Sequence, residues 1–185
     1  MIKKIAILGS TGSIGKCLID IIKNDKKNFE IILLSADENY KELLRQAKFF
    51  KVKNLIVTNK GSYEKIKKDK YSKEIKIYNN FDNLKAIFKK KVEYTMSSIS
   101  GIQGLKPTIE IIKFTKKIAI ANKEAIICGW ELIEKRLNKY RTEFIPVDSE
   151  HFSIWYALKG IDTSLIDQIY LTASGGPFLD KSLNK

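Results

Sequence analysis

One histidine, two cysteines and the lack of any long apolar run set the first limits on this 185-residue chain. With His151 alone, a zinc site built on three histidines cannot arise within the chain. A Ser-His-Asp hydrolase would need an arrangement that nothing in the spacing supports. Cys17 and Cys128 lie far apart, without metal-ligand spacing or the pattern of a disulfide framework. Both fall in helical patterns, so they are expected to be small buried hydrophobes in a reducing, cytoplasmic setting. No apolar stretch nears the roughly 20 residues that cross a bilayer, so no membrane association is expected. Lys3 and Lys4 before an apolar run faintly mimic a secretory signal, but the run is too short and ends in glycine turn chemistry. With Met1 directly before the first strand, no transit peptide is expected. Acidic residues are also scarce, 21 against 34 basic, for a net charge of +13. That balance raises nucleic acid as a partner. The lysines, however, are spread over helix faces and loops with no arginine-rich or aromatic-interleaved patch, so no nucleic-acid partner is expected. A positive field would help attract phosphorylated small molecules.

What is present is a globular pattern, 44% apolar and 30% charged. Short apolar runs at 4–8, 30–35, 54–57, 75–78, 94–96, 117–120, 143–146 and 168–173 read as strands. Amphipathic stretches at 14–23, 40–50, 63–69, 81–89, 105–114, 123–139 and 152–158 read as helices. The alternation predicts an α/β fold, a doubly wound Rossmann-like parallel sheet covered on both faces. The pattern changes character near Pro146. A first domain over 1–147 is followed by 148–185, too short to bury a core of its own and read as the beginning of a second domain.

The most informative stretch is Gly9-Ser10-Thr11-Gly12-Ser13-Ile14-Gly15, between the first strand and a helix carrying Ile14, Leu18, Ile21 and Ile22. Strand, glycine turn and helix point backbone N–H groups and a helix N-terminus at a phosphate. Gly9 suits the tight turn, Gly12 the approach of a pyrophosphate, and Gly15 close helix packing. The alternative is an ordinary βα turn that uses glycine for positive φ. After the second strand, Asp37 and Glu38 stand where a Rossmann unit receives ribose hydroxyls, and two carboxylates there would repel a 2′-phosphate. Equally, Asp37 or Asn39 would cap the next helix.

Three further clusters sit at or beyond strand ends. Ala121-Asn122-Lys123-Glu124 reads as an N-cap with a favourable first-turn acid, or as polar groups aimed at a bound anion or hydroxyl. Pro146-Val147-Asp148-Ser149-Glu150-His151 places two carboxylates in D-x-E spacing, suited to Mg²⁺ or Mn²⁺, or else caps a helix through Phe152, Trp155 and Leu158. Leu171 to Phe178 runs from a strand into Ser174-Gly175-Gly176-Pro177, which would expose N–H groups to a phosphate or form a turn or hinge.

Together the glycine turn, Ala121–Glu124, Pro146–His151 and Ser174–Phe178 resemble one family, the 1-deoxy-D-xylulose 5-phosphate reductoisomerases. The resemblance implies NADPH-dependent, divalent-metal-dependent reductive isomerisation of 1-deoxy-D-xylulose 5-phosphate to 2-C-methyl-D-erythritol 4-phosphate, a step of isoprenoid precursor synthesis. It implies Thr11, Gly12, Ser13, Ile14, Asn39, Asn122 and Glu124 as contacts of NADPH. Lys123, Ser149, Glu150 and Ser174 would meet the phosphosugar substrate, with Lys123 and Glu150 in catalytic roles. Asp148 and Glu150 would bind Mg²⁺ or Mn²⁺. Residues 1–147 would then be the NADPH-binding domain and 148–185 the start of a catalytic and dimerisation domain, truncated here. The full-length family is expected to be a homodimer. Two departures stand out. Asp37-Glu38-Asn39 replaces the family's usual Gly-Lys/Arg-Asn, so that Lys41 or Arg45 would have to compensate for the missing cation. The family's later ligands also lie beyond Lys185, so that the chain alone is expected to bind dinucleotide with little or no turnover. Another Rossmann dehydrogenase and a non-catalytic dinucleotide-binding module are the competing readings.

Overall fold

A computed structural model describes residues 2–170. The chain divides between Ile145 and Pro146 into two compact units. The first unit is built on a sheet in the order β4-β3-β2-β1-β5-β6-β7. Its strands are β1 Lys3–Leu8, β2 Phe29–Ala36, β3 Asn54–Val57, β4 Lys76–Tyr78, β5 Val92–Ser97, β6 Thr115–Ile120 and β7 Glu143–Pro146. The pairings from β4 through β6 are all parallel. Apart from the extra edge strand β4, this is the doubly wound order, in which the chain reverses direction across the sheet between β1 and β5.

The reason for the central place of β1 is legible in its side chains. Ile5, Ala6, Ile7 and Leu8 are all buried, as expected of a strand covered on both faces. Ala6 and Leu8 join Leu33, Ile56, Ile118 and Ile120 from neighbouring strands, and Ile111, Ile133 and Leu137 from helices, in one core cluster. Each such Leu or Ile contributes roughly 1.5–3 kcal/mol on burial.

The helices are α1 Ser13–Asn24, α2 Tyr40–Phe50, α3 Lys60–Lys67, α4 Leu84–Ile87, α5 Leu105–Ile111, α6 Lys123–Tyr140 and α7 Ser149–Ala157. The inward stripe of α1 is Gly15, Ile19 and Ile22; of the Ile14, Leu18, Ile21 and Ile22 of the sequence pattern, only Ile22 is fully buried. Ile14 and Ile21 are exposed. The same phase turns Cys17 outward. Cys17 and Cys128 are both exposed, which corrects the expectation of two buried thiols. The helix expected over 81–89 shrinks to one turn, because Phe81 and Phe88 serve the core from outside it. α6 is kinked at Gly129, where φ is −136°.

In the second unit α7 begins at Ser149, three residues before the expected start, because Asp148 caps it. Residues 168–170 of the expected strand at 168–173 carry no strand pairing, and 171–173 lie outside the described residues. No helix among the described residues is long and apolar enough to cross a membrane.

Candidate functional site

The carboxyl end of β1 is where the first unit opens. Gly9 turns the chain with φ of +77°, and a Cβ there would lie 2.7 Å from the Ser98 carbonyl oxygen. At Gly15 a Cβ would lie 2.3 Å from the Gly9 carbonyl oxygen, so only glycine lets α1 start this close to the turn. Gly12 is different. Its backbone is extended at φ −76°, and a Cβ there would meet only the Gly9 oxygen, at an ordinary 3.5 Å. The protein's own packing demands the outer two glycines and leaves the space beside the middle one open.

A polar network holds this turn from below. The Gly9 N–H donates to Ser35 Oγ at 3.0 Å, and the Ser10 N–H to the Ser35 carbonyl at 2.9 Å. Ser10 Oγ donates to Gln46 Oε1 at 2.7 Å, and Gln46 Nε2 returns a bond to the Ser10 carbonyl at 3.1 Å. All three side chains are buried. Gln46 Nε2 also reaches Glu42 Oε1 at 3.1 Å. Arg45 grips Glu42 through Nε and Nη2, each at 2.8 Å. That guanidinium holds the Glu42 carboxyl below its usual range, against the opposing effect of burial. Sequence reading missed Ser35 and Gln46. Their signal was two polar residues at positions that face a strand–helix core.

Two adjoining clefts lie over the turn. The larger, about 690 Å³, is lined by Gly9, Thr11, Gly12 and Asp37 and continues past Thr58 to Phe81 and Lys106. The smaller, about 310 Å³, is lined by Gly12, Ser13 and Ile14 on one side and Asn122, Lys123 and Glu124 on the other. Both share Gly12 and the loop Ser98-Ile99-Ser100 after β5. Sequence reading missed that loop, whose only mark is a run of serines closing a strand. Ser98 Oγ donates to the Leu8 carbonyl at 2.7 Å, which ties the loop to the end of β1.

Six of the seven expected cofactor contacts therefore line these clefts: Thr11, Gly12, Ser13, Ile14, Asn122 and Glu124. Lys123 stands with them. The buried Asn122 side chain is already committed. Its Oδ1 accepts the Ala125 N–H at 2.9 Å, and its Nδ2 donates to the carbonyls of Ile99 at 2.5 Å and Gly101 at 2.6 Å. Asn39 does not line either cleft and caps α2 through the Glu42 N–H at 3.2 Å. The capping readings of Asn39 and Asn122 thus hold.

In the second unit, Asp148 Oδ1 accepts both the His151 N–H at 3.0 Å and His151 Nδ1 at 2.5 Å. Ser149 Oγ donates to Glu150 Oε2 at 2.9 Å. Asp148 is thus the N-cap of α7, and Ser149 and Glu150 open its first turn. Ser174 lies outside the described residues.

Residues 5–129 match the family model for 1-deoxy-D-xylulose 5-phosphate reductoisomerase, and residues 144–185 match the model for the C-terminal domain of that enzyme. The chain belongs to the 1-deoxy-D-xylulose 5-phosphate reductoisomerase family. A curated reductoisomerase of Pelagibacter ubique is 57% identical over 185 residues, 99% of this chain and 48% of that protein. One of a Wolbachia strain from Drosophila simulans is 39% identical over 184 residues, 99% of this chain and 46% of that protein. The chain spans about half the length of the curated relatives it matches. Among solved structures, the Zymomonas mobilis reductoisomerase in complex with NADPH superposes with a TM-score of 0.88 at 30% identity, over 98% of this chain and 48% of that one. A reductoisomerase bound to NADPH, fosmidomycin and magnesium gives 0.83 at 29% identity, over 98% of this chain and 47% of that one.

Proposed function

We propose that this chain carries the coenzyme-binding part and the first metal-binding turn of a 1-deoxy-D-xylulose 5-phosphate reductoisomerase. Its reaction is the NADPH- and divalent-metal-dependent conversion of that phosphosugar to 2-C-methyl-D-erythritol 4-phosphate. The observation that carries this reading is the match, in order, of both family models to consecutive parts of one chain. The boundary after Val147, a cytoplasmic location and a homodimeric whole protein belong to the same reading.

The residues fit a dinucleotide. The open space beside Gly12 and the side-chain-free N-terminus of α1 suit a diphosphate. By the rule for parallel sheets, the adenosine half lies over β2 and β3 in the larger cleft, and the nicotinamide half lies toward β5, β6 and the start of α6. Thr11, Ser13 and Ile14 then bind through the turn, Asn122 holds the loop that faces the coenzyme, and Glu124 closes the nicotinamide side. Asn39 acts on the adenosine end through the start of α2. Asp148 and Glu150 offer hard oxygen donors that suit Mg²⁺ or Mn²⁺. In this reading the pair is part of a larger ligand set; among the described residues no group of three or more His, Cys, Asp or Glu side chains that could hold an ion is found.

When bound, NADPH supplies hydride and the cation supplies Lewis acidity toward substrate oxygens. The chain's own side chains then orient and charge-match the phosphosugar: Lys123 as a donor to a substrate oxygen, Ser149 and Glu150 as hydrogen-bond partners, and Ser174 as a further contact. Thermal unfolding of the 185-residue chain tests the reading. NADPH is expected to raise the melting temperature, and fosmidomycin to raise it further only when Mn²⁺ is present. A folded chain indifferent to NADPH would overturn the proposal.

A further inference from the structure

We propose that Asp37 sets coenzyme specificity in this chain by favouring an adenosine ribose with a free 2′-hydroxyl, so that NADH competes with NADPH on near-equal terms. The inference rests on the dinucleotide reading above and concerns only the adenosine end of that site.

Asp37 directly follows the last residue of β2 and lines the larger cleft. In a parallel sheet of this order that corner receives the adenosine ribose. Its carboxylate is oriented. Thr58 Oγ1 donates to Asp37 Oδ1 at 2.6 Å, and the Thr58 N–H is itself pinned to the Ala36 carbonyl at 3.1 Å. An ionised carboxylate has about four acceptor positions and no donor. A ribose 2′-hydroxyl can donate into the remaining positions. A 2′-phosphate brings two like charges and acceptor oxygens to the same place and is repelled.

A cation nearby could reverse that preference. Among the described residues that line the larger cleft, the one cation is Lys106, and it is paired with Asp82 at 3.4 Å. On α2, Lys41 lines neither cleft, and Arg45 is bound to both oxygens of Glu42. Turning it toward a 2′-phosphate would break both bonds and leave Glu42 to Gln46 alone.

Asp37 is exposed, so its replacement does not disturb the core. Dissociation constants of NADPH and NADH for the 185-residue chain, measured by fluorescence, decide the matter. The two are expected to agree within about tenfold. Asp37→Ser is expected to tighten NADPH about tenfold while leaving NADH unchanged or weaker. A wild-type preference for NADPH beyond about tenfold, or a ratio that Asp37→Ser leaves unmoved, overturns the inference while the dinucleotide site stands. Binding of neither coenzyme by the folded chain removes the site and this inference with it.

Discussion

Two helices begin at the rim of the clefts, and they treat their N-terminal N–H groups in opposite ways. α6 begins at Lys123 under Asn122, a buried side chain that satisfies the Ala125 N–H and clasps two loop carbonyls. α1 begins at Ser13 under Gly12, which offers no side chain at all. A helix start leaves up to four N–H groups without partners, and their dipole favours an anion. α6 meets part of that need from within, through Asn122. α1 has no such cap, and in the proposed reading its N–H groups meet a ligand while Ser35, Ser10 and Gln46 hold its turn in shape. A binding end and a structural end therefore differ in what is withheld, not in what is added.

The largest effect that would break this comparison is Gly15→Val. With a Cβ already 2.3 Å from the Gly9 oxygen and 2.6 Å from Ser10 Cα, α1 must move off the turn. A loss of about 3 kcal/mol or more is expected in urea unfolding, together with loss of coenzyme binding. Asn122→Ala comes next. It removes one cap, worth about 1 kcal/mol, and takes the Asn122 donor from the Ile99 carbonyl, while the Gly101 carbonyl keeps the Gly104 N–H, for a total of roughly 2–3 kcal/mol. Asn122→Asp keeps the cap and still loses the clasp. If the aspartate variant matched wild type in urea, the clasp would carry no weight and α6 would be an ordinary capped helix.

Much of this was legible from sequence, and the limits have physical causes. The strands at 54–57 and 143–146 and the helix at 40–50 came out with their observed bounds, because apolar run, turn residue and cap agree there. The phase of α1 was misread because glycine counts as nothing on an apolar scale, yet Gly15 is the point of closest approach. Exposed Ile14 lines a cleft and is not a core residue. The turn at Gly9–Gly15 and the cluster at Asn122–Glu124 were each visible as a motif. Their meeting across one cleft depends on β1, β5 and β6 lying side by side, which no local pattern contains. Gln46 was invisible for a related reason: its partner Ser10 is 36 residues away.

Gly12→Ala sharpens the comparison from the other side. Its backbone is extended and its neighbour stands at van der Waals distance, so the folded chain accepts a methyl group. Stability is expected to stay level or to rise by up to about 1 kcal/mol, since alanine restricts the unfolded chain. NADPH affinity is expected to fall about tenfold, because the methyl occupies the space a diphosphate would take. Stability and affinity moving together would mean that Gly12 serves the fold after all.

The smallest expected effect lies one layer behind the turn, at Glu42. Arg45 lowers its carboxyl pKa from 4.5 in the folded chain, chiefly by hydrogen bonding. A depressed carboxyl stabilises the fold when ionised, so the contribution is complete above the unfolded value and is lost as pH falls through the folded one. Glu42→Gln should therefore unfold at lower urea than wild type at neutral pH and converge with it in acid, once pH has fallen through the depressed carboxyl pKa. The gap will be modest, because the Arg45 side chain is 69% exposed and water screens the pair. Should the gap persist undiminished in acid, the carboxylate charge is not its source. The bidentate grip of Arg45, which a carboxamide cannot reproduce whatever the pH, would then be the contact that carries it.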